Sequence, residues 1–254
     1  MRKALLMVGA LLTLTSGWAM AAGIDLNWNA CKNSLGFPSG VPASNKNSTC
    51  LAITGSNTMI ASYYAPASAT NVDAIEAYVD YQTSQGISCW WDFRASNALR
   101  AASLTVMIAD PFTCGDGSES CWGCPGNYFS TKPNAAGGGG MVVIPNGNAR
   151  ISCVVGIPIG TGSAPSAGEE LAVGIRFNNA AAPVASNCPG CSNPACFTLN
   201  RVTFFNTGQP GIEINTAQNN NTITWQGGAI GGLGCPATTP TQSKTWGSVK
   251  ALYR

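Results

Sequence analysis

The sequence predicts an all-β protein, an antiparallel β-sandwich that is stapled by disulfides and ends in a short C-terminal helix. Three observations favour this fold class. Short segments rich in β-branched and aromatic residues alternate between apolar and polar positions, as half-buried strands do. Turn-rich stretches separate these segments, and no segment of helical period lies between them. Eleven cysteines occur in a chain of 254 residues that starts like an exported protein.

Residues 1–22 have the pattern of a secretory signal peptide, and residues 23–254 are expected to form one β-sandwich domain. Arg2 and Lys3 give a basic start, an apolar stretch follows, and residues 19–21 (Ala-Met-Ala) match the A-x-A cleavage pattern. The apolar stretch is too short to span a bilayer, and no later segment reaches that length. The sequence therefore predicts a secreted, extracellular protein with no membrane span in the mature chain.

Strands are expected at eleven places. The apolar face of the clearest one consists of Ile75, Ala77, Val79 and Tyr81, which should pack in the core. The predicted strands are residues 24–28, 49–53, 59–64, 72–81, 103–108, 141–144, 150–157, 171–177, 196–205, 212–215 and 222–225.

The segments between the strands are rich in turn residues, chiefly at 38–47, 125–140, 160–168, 182–194 and 229–242. The glycine run at 137–140 is expected to be a flexible loop, and it lacks the Lys-Ser/Thr of a phosphate-binding loop. A helix is expected only at 246–253. There Trp246, Val249, Ala251 and Leu252 would face the sheet.

All eleven cysteines follow the signal, and export to an oxidising compartment predicts disulfides. Cys31 and Cys50 flank a loop rich in Pro, Ser and Asn, and Cys89 and Cys114 flank a predicted strand pair. A disulfide within each pair is expected. The odd number leaves at least one thiol free, bonded between chains or bound to a metal.

Two Cys-x-x-Cys pairs suggest a metal or redox site as an alternative to disulfides. They are Cys121 with Cys124 and Cys188 with Cys191. This spacing is typical of zinc knuckles and redox dithiols, and two pairs would supply four thiolates. Neither pair opens a helix in a βαβ unit, and the flanking Pro and Gly suit tight loops. Structural disulfides are therefore favoured, and no metal or cofactor is predicted.

The composition excludes several classes of function. The chain has no histidine, which removes Ser-His-Asp and Cys-His catalysis and histidine-based metal sites. Charged residues are only 9% of the chain, and loss of the signal would leave 11 basic and 11 acidic residues. Such a chain has no basic face for nucleic acid and no electrostatic attraction to a membrane.

Carboxylates are the remaining catalytic candidates, and the pattern offers no convincing catalytic set. Glu169 and Glu170 are expected to be a solvated strand end. Glu76 and Asp80 would share one face of a strand about 13 Å apart, which is too far for a glycosidase pair. We therefore expect a protein without catalytic residues, and keep a carboxylate glycoside hydrolase as the alternative.

Four aromatic residues are the candidate ligand-binding site, namely Trp90, Trp91, Trp122 and Tyr128. In a strand, the adjacent tryptophans would face opposite sides, which leaves one indole exposed to stack on a sugar ring or an apolar partner. The competing interpretation is that these residues pack against a disulfide in the core, as in immunoglobulin-like domains.

Motifs at both ends of the mature chain support a resemblance. Residues 24–31 are Ile-Asp-Leu-Asn-Trp-Asn-Ala-Cys, residues 188–191 are Cys-Pro-Gly-Cys, and residues 245–254 are Thr-Trp-Gly-Ser-Val-Lys-Ala-Leu-Tyr-Arg. The chain resembles a family of uncharacterised, secreted, cysteine-rich bacterial β proteins that end in Thr-Trp-Gly-x-Val-Lys-x-Leu-Tyr-Arg. The resemblance implies a secreted single-domain β protein and no particular activity. Residues 121–124 depart from the family's pattern.

These features predict a secreted, non-catalytic binding or structural module at or beyond the cell surface. One hypothesis is a binder of glycans or other surface ligands through the four aromatic residues. Another is an assembly subunit that self-associates, which the low charge and the odd cysteine favour. A thiolate metal-binding protein is a further alternative beside the hydrolase.

Overall fold

The computed structural model describes residues 22–31, 43–51, 54–109, 122–144, 148–180 and 188–228. Within these ranges the chain forms eleven strands and two short 3₁₀ turns. The strands are β1 (Gly23–Trp28), β2 (Asn45–Lys46), β3 (Ser56–Tyr64), β4 (Val72–Thr83), β5 (Leu104–Met107), β6 (Ala136–Ile144), β7 (Asn148–Gly156), β8 (Glu169–Asn178), β9 (Ala195–Asn206), β10 (Ile212–Ile214) and β11 (Thr222–Trp225). The 3₁₀ turns span Cys89–Trp91 and Ala101–Ser103.

The strands form two sheets that pack face to face. The smaller sheet has the order β1-β3-β8-β5, and the larger has the order β2-β11-β9-β4-β7-β6 with β10 beside β9. The described strand pairs are antiparallel except β2 with β11, which is parallel. The predicted antiparallel sandwich is confirmed, because period-two strands bury one face against a second sheet.

Alternate side chains of each strand fill the space between the sheets. In β4, Ile75, Ala77, Val79 and Tyr81 are fully buried, as the period-two pattern predicts. The centre is an aromatic core cluster whose neighbouring ring centroids lie 5.4–6.0 Å apart, mostly edge to face. Its members are Trp28, Trp91, Phe177, Phe197 and Trp225.

The glycine run predicted to be a flexible loop lies instead in strand β6 and pairs with β7. The loop prediction is wrong because these glycines serve close packing against β5. A Cβ at Gly139 would lie 2.6 Å from Cγ2 of Val106, and a Cβ at Gly137 would overlap Cγ2 of Ile108. Only glycine lets the edge of the smaller sheet approach β6 this closely.

The remaining predicted segments are a strand at 49–53, the signal peptide and the C-terminal helix. The predicted strand at 49–53 is wrong in its described part, because Cys50 has a positive φ of 57° and residues 49–51 lie outside any strand. The predicted signal peptide, apart from residue 22, and the C-terminal helix at 246–253 lie outside the described residues. Within the described ranges, none of the helical segments has the length and hydropathy needed to cross a bilayer.

Disulfides join segments that are far apart in the chain. The predicted pairings of Cys31 with Cys50 and of Cys89 with Cys114 are wrong, because the sandwich brings distant loops together rather than the ends of each short loop. The described disulfides are Cys31–Cys124, Cys50–Cys191 and Cys89–Cys188. Cys196 is also disulfide-bonded, and Cys114, Cys121 and Cys235 lie outside the described residues.

Candidate ligand-binding site

The adjacent tryptophans, of which one was expected to be exposed, are both fully buried. Trp90 and Trp91 each have 0% exposure. The prediction is wrong because residues 89–91 form a 3₁₀ turn, in which neighbouring side chains do not alternate between two faces. The Trp91 indole lies in the aromatic core cluster and donates to the Gly190 carbonyl at 2.9 Å. The Trp90 ring lies beneath the guanidinium of Arg100 at 3.8 Å.

Trp122 and Tyr128 are buried too, so their predicted exposure is also wrong. Trp122 packs on the outer face of the smaller sheet, where a Cβ at Gly174 would overlap its indole. The Tyr128 hydroxyl accepts from the Ser163 amide at 2.7 Å and lies 2.8 Å from the Val72 carbonyl. These four rings stabilise the fold, and none presents a face for stacking on a ligand.

The alternative of a thiolate metal site is wrong for the described cysteines of the two Cys-x-x-Cys pairs. Cys124, Cys188 and Cys191 are all in disulfides, and a disulfide sulfur is not a thiolate ligand. Cys121 lies outside the described residues. Over the parts of the chain that the structure describes, no group of three or more Cys, Asp or Glu side chains is placed to hold a metal ion.

Glu169 and Glu170 are buried, so their prediction as a solvated strand end is wrong. Residues near Gly126 extend the edge of the sheet beside them, since the Gly126 amide donates to the Glu169 carbonyl and its carbonyl accepts from Leu171. The Ser62 hydroxyl donates to Glu169 Oε1 at 2.6 Å. The Ser166 amide donates to Glu170 Oε1 at 3.0 Å.

Two carboxylates of β4, Glu76 and Asp80, pair with arginines on the outer face of the larger sheet. Arg150 donates to both oxygens of Asp80 at 2.6 and 2.8 Å, and Arg201 pairs with Glu76 at 3.3 Å. The Tyr78 ring lies between the two guanidinium groups, 4.6 Å from Arg150 and 4.1 Å from Arg201. These carboxylates are held by cations and do not form a free acid–base pair.

Asp73 organises the loops at one end of the larger sheet. It is the second residue of β4, and its carboxylate accepts from the amides of Gly160, Gly162 and Thr207 at 3.0–3.1 Å. The Thr207 hydroxyl also donates to it. These donors, the hydroxyl first, lower the pKa of Asp73 below its usual 3.8. One buried carboxylate therefore fixes the β7–β8 loop and the β9–β10 turn against β4.

The loops held by Asp73 surround an open cavity of about 610 Å³, called here the Asp73 pocket. Apart from the Asp73 carboxylate, its lining is uncharged and carries hydroxyl, amide and backbone groups. The lining residues are Thr70, Asn71, Asp73, Gly160, Gly162, Asn206, Thr207 and Gln209. The Asn206 Oδ1 atom is buried, and no residue in the described ranges donates a hydrogen bond to it. A buried acceptor without a partner is costly unless a ligand or water satisfies it.

An apolar shelf adjoins the Asp73 pocket. A second cavity of about 280 Å³ shares Asp73, Asn206 and Thr207 with it and is otherwise lined largely by Ile157, Ile159 and Phe205. Ile159 is 79% exposed and Phe205 is 40% exposed. The two cavities together offer neutral hydrogen-bonding groups beside an exposed aromatic ring, the usual equipment for binding sugars.

Sequence reasoning missed this site. Asp73, Gly160 and Thr207 lie more than 40 residues apart in the chain, so no local motif joins them. The Gly-Thr-Gly at 160–162 was the one available signal, because glycines without a regular element often mark close backbone approach. A Cβ at Gly162 would lie 2.6 Å from the carbonyl oxygen of Val72.

Comparisons with known proteins give fold-level similarity only. No family model matches the chain, and no curated protein matches it. A type II cohesin domain from the cellulosome of Acetivibrio cellulolyticus is 10% identical with a TM-score of 0.35, covering 80% of this chain and 95% of that one. The sixth cohesin of scaffoldin B from the same organism, in complex with the Cel5 dockerin, is 9% identical with a TM-score of 0.30 over 80% and 97%.

The third similar structure is the collagen-binding subdomain of the Enterococcus faecalis surface protein ACE. It is 8% identical with a TM-score of 0.22, covering 71% of this chain and 92% of that one. Similarities of this size do not place the chain in a family.

Proposed function

We propose that this protein is an exported, non-catalytic binding module whose Asp73 pocket takes a neutral, polyhydroxylated ligand such as a glycan. The observation that carries the proposal is the lining of the pocket. Amide and hydroxyl groups of Asn71, Asn206, Thr207 and Gln209 surround an open cavity of about 610 Å³.

The adjoining shelf supports the same class of ligand. Sugars present hydroxyls around their rim and C–H groups on their faces, so they combine hydrogen bonding with contact to an aromatic ring. Phe205 and Ile159 offer such an apolar surface directly beside the polar pocket. A charged ligand is not favoured, because the one ionised group in the lining, Asp73, is already saturated with donors.

Catalysis at this site is not favoured either. A general base or nucleophile must be free to reach the substrate, whereas the Asp73 carboxylate is committed to three backbone amides and a hydroxyl. Its lowered pKa makes it a weak base as well. A glycosidase needs a second carboxyl group in the cleft, and the described lining residues supply none.

Export of the chain is part of the proposal. The three described disulfides are typical of proteins in an oxidising compartment, and the apolar leader at residues 1–22 predicts a signal peptide. A disulfide-linked, low-charge sandwich with a pocket formed by loops suits a binding role outside the cytoplasm.

The test is a glycan array with the purified, oxidised protein, followed by calorimetric titration of the glycans that bind. Asn206→Ala and Gln209→Ala should each weaken binding about tenfold, the usual effect of losing one hydrogen bond. Gln85→Ala is the matched control, because Gln85 is exposed in the turn at the opposite end of β4. Silence of the array, or equal affinity in all three variants, would overturn the proposal.

A further inference from the structure

The free edge of the larger sheet is unusually unprotected. Strand β6 lies at the end of the strand order and pairs with β7 alone among the described strands. On its other side, no strand of the described part of the chain pairs with its backbone N–H and C=O groups. Exposed edges are normally guarded by charged residues, proline or a bulge. The nine residues of β6, Ala-Gly-Gly-Gly-Gly-Met-Val-Val-Ile, contain no charge and no proline, and their pairing with β7 has no register shift.

The edge is also apolar and flat. Val142 is 51% exposed and Val143 is 44% exposed. A Cβ at Gly138 or Gly140 would find no atom within 4 Å, so nothing of the described chain overhangs the outer face of the strand. Apolar side chains beside an open strand edge favour the addition of another strand.

We propose that a second copy of this chain adds to the edge, with the two β6 strands antiparallel and Gly140 paired with Gly140 of the second copy. The amino-acid order of β6 argues for this occupant, because its first half is small and its second half is large. In this register Gly139 lies opposite Met141, Gly138 opposite Val142 and Gly137 opposite Val143. Directly paired residues of antiparallel strands project on the same face, so on the open outer face Val142 of each copy lies over Gly138 of the other, and Ile144 lies over Ala136.

Parallel pairing in register lacks this complementarity. It would set each valine against the same valine of the second copy, and each glycine against a glycine. The chain's formal net charge of +2 also leaves little repulsion between two copies. One strand pair buries less than the roughly 800 Å² per partner of a standard interface, so the dimer should be weak, with a Kd of about 1 μM to 1 mM.

The proposed two-fold axis is perpendicular to the sheet. The outer faces of the two copies, with Tyr78 between Arg150 and Arg201, would then form one continuous surface on the same side. Because β4 runs parallel to β6 through the intervening β7, the two Asp73 pockets would open at opposite ends of that surface. Cys153 plays no part in the dimer, since its thiol is buried between the sheets.

Sedimentation velocity over a range of protein concentrations tests the proposal, and the wild-type chain should show a monomer–dimer equilibrium. Val142→Lys should abolish the dimer, because it puts a charge on the edge. Val154→Lys is the matched control: Val154 is 47% exposed on the same face but lies in β7, away from the edge. A wild-type chain that is monomeric throughout, or equal behaviour of the two lysine variants, would overturn the proposal.

A swap of residues tests the register. Gly138→Val should weaken the dimer at least about tenfold by setting valine against Val142 of the other copy, and Val142→Gly should weaken it by losing that contact. The double variant restores one large and one small residue in each pair, and its Kd should return close to the wild-type value. Failure of the double variant to recover the dimer would contradict this register. Glycan binding is read independently, because Asn206 and Gln209 lie at the end of β9 and in the turn after it, and β4 and β7 separate β9 from β6 in the sheet.

Discussion

Trp122 packs directly against Gly174, and this contact closes the outer face of the smaller sheet. A Cβ on Gly174 would lie 2.8 Å from Cζ3 of Trp122 and closer still to Cη2. The Cys31–Cys124 disulfide lies in the same small apolar cluster, and the Cys31 amide donates to the Trp122 carbonyl at 2.9 Å. The outer face of the smaller sheet is therefore a second core, whereas no such cluster among the described residues covers the outer face of the larger sheet.

Gly174→Ala is expected to lower the free energy of unfolding by about 1–3 kcal/mol, because the added methyl group forces the Trp122 ring away from β8. Urea unfolding followed by tryptophan fluorescence measures the change. Gly168→Ala is the control, since a Cβ there meets its nearest neighbour, Ser166 Oγ, at 3.8 Å. Equal free energies of unfolding for the two variants would show that the Trp122 ring can move to accommodate the methyl group without destabilising the fold.

Most of the fold could be predicted from period-two alternation, because burial of one strand face leaves its mark in every pair of neighbouring residues. The inward row of β4 from Ile75 to Tyr81 is the clearest case. The glycine run of β6 could not be assigned this way. Its residues have no side chain to alternate, and the reason for their choice is β5, which lies about 30 residues earlier in the chain.

The candidate site was much less predictable. Trp90 and Trp91 were candidate ligand-binding residues because they are aromatic. Whether a tryptophan is buried depends on tertiary packing, which a local sequence pattern does not contain. Asp73 was an ordinary acidic residue until the β7–β8 loop and Thr207 met it in the fold. The disulfide partners were hidden for the same reason, since Cys50 and Cys191 are 141 residues apart.

Removal of the Cys89–Cys188 disulfide by replacing both cysteines with alanine should lower stability by about 4–5 kcal/mol. The bond closes a loop across 99 residues, and a long loop restricts the unfolded chain strongly. Urea unfolding of the double variant measures the loss. Peptide mapping without reduction gives a separate check, because Cys89 should be recovered linked to Cys188. Recovery of Cys89 linked to Cys114 would contradict the structure.

The Cys153 thiol should be inert in the folded protein. It is buried between the sheets, and burial raises the pKa of the thiol to about 12. A thiol with a raised pKa stays protonated at pH 8, and only the thiolate reacts with iodoacetamide. Mass spectrometry should find Cys153 unmodified after native alkylation and modified after alkylation in denaturant. Modification of Cys153 in the native protein would show that this part of the core opens readily.

Asp73 should make the free energy of unfolding depend on pH in the acidic range. Its pKa is lowered in the folded protein, so its contribution is present above the unfolded value of 3.8 and is lost as pH falls through the lower folded value. Asp73→Asn cannot accept from four donors in the same way, so it should be less stable than the wild type at pH 7. The difference between the two unfolding free energies should shrink below pH 3.8. A difference that does not change with pH would argue against an ionised Asp73.

Arg100 should not be replaceable by lysine, although both carry a positive charge. Its side chain is fully buried, and burial lowers the pKa of the guanidinium to about 10, so it is still charged at neutral pH. Nε donates to the Trp90 carbonyl at 3.0 Å, and Nη1 donates to the carbonyls of Asn178 at 2.8 Å and of Ala180. The planar group thereby joins the 89–91 turn to the end of β8 while it stacks on the Trp90 ring.

A lysine ammonium is a point donor without the planar fork of the guanidinium, and it would leave some of these carbonyls without a hydrogen bond in a site that excludes water. Arg100→Lys should therefore lose at least about 2 kcal/mol of unfolding free energy, measured by urea unfolding with near-ultraviolet circular dichroism. Arg94→Lys is the matched control, because Arg94 is exposed and pairs with Asp92 on the surface, where the change should cost much less. Similar losses in both variants would show that charge, and not the geometry of the guanidinium, is what this part of the core requires.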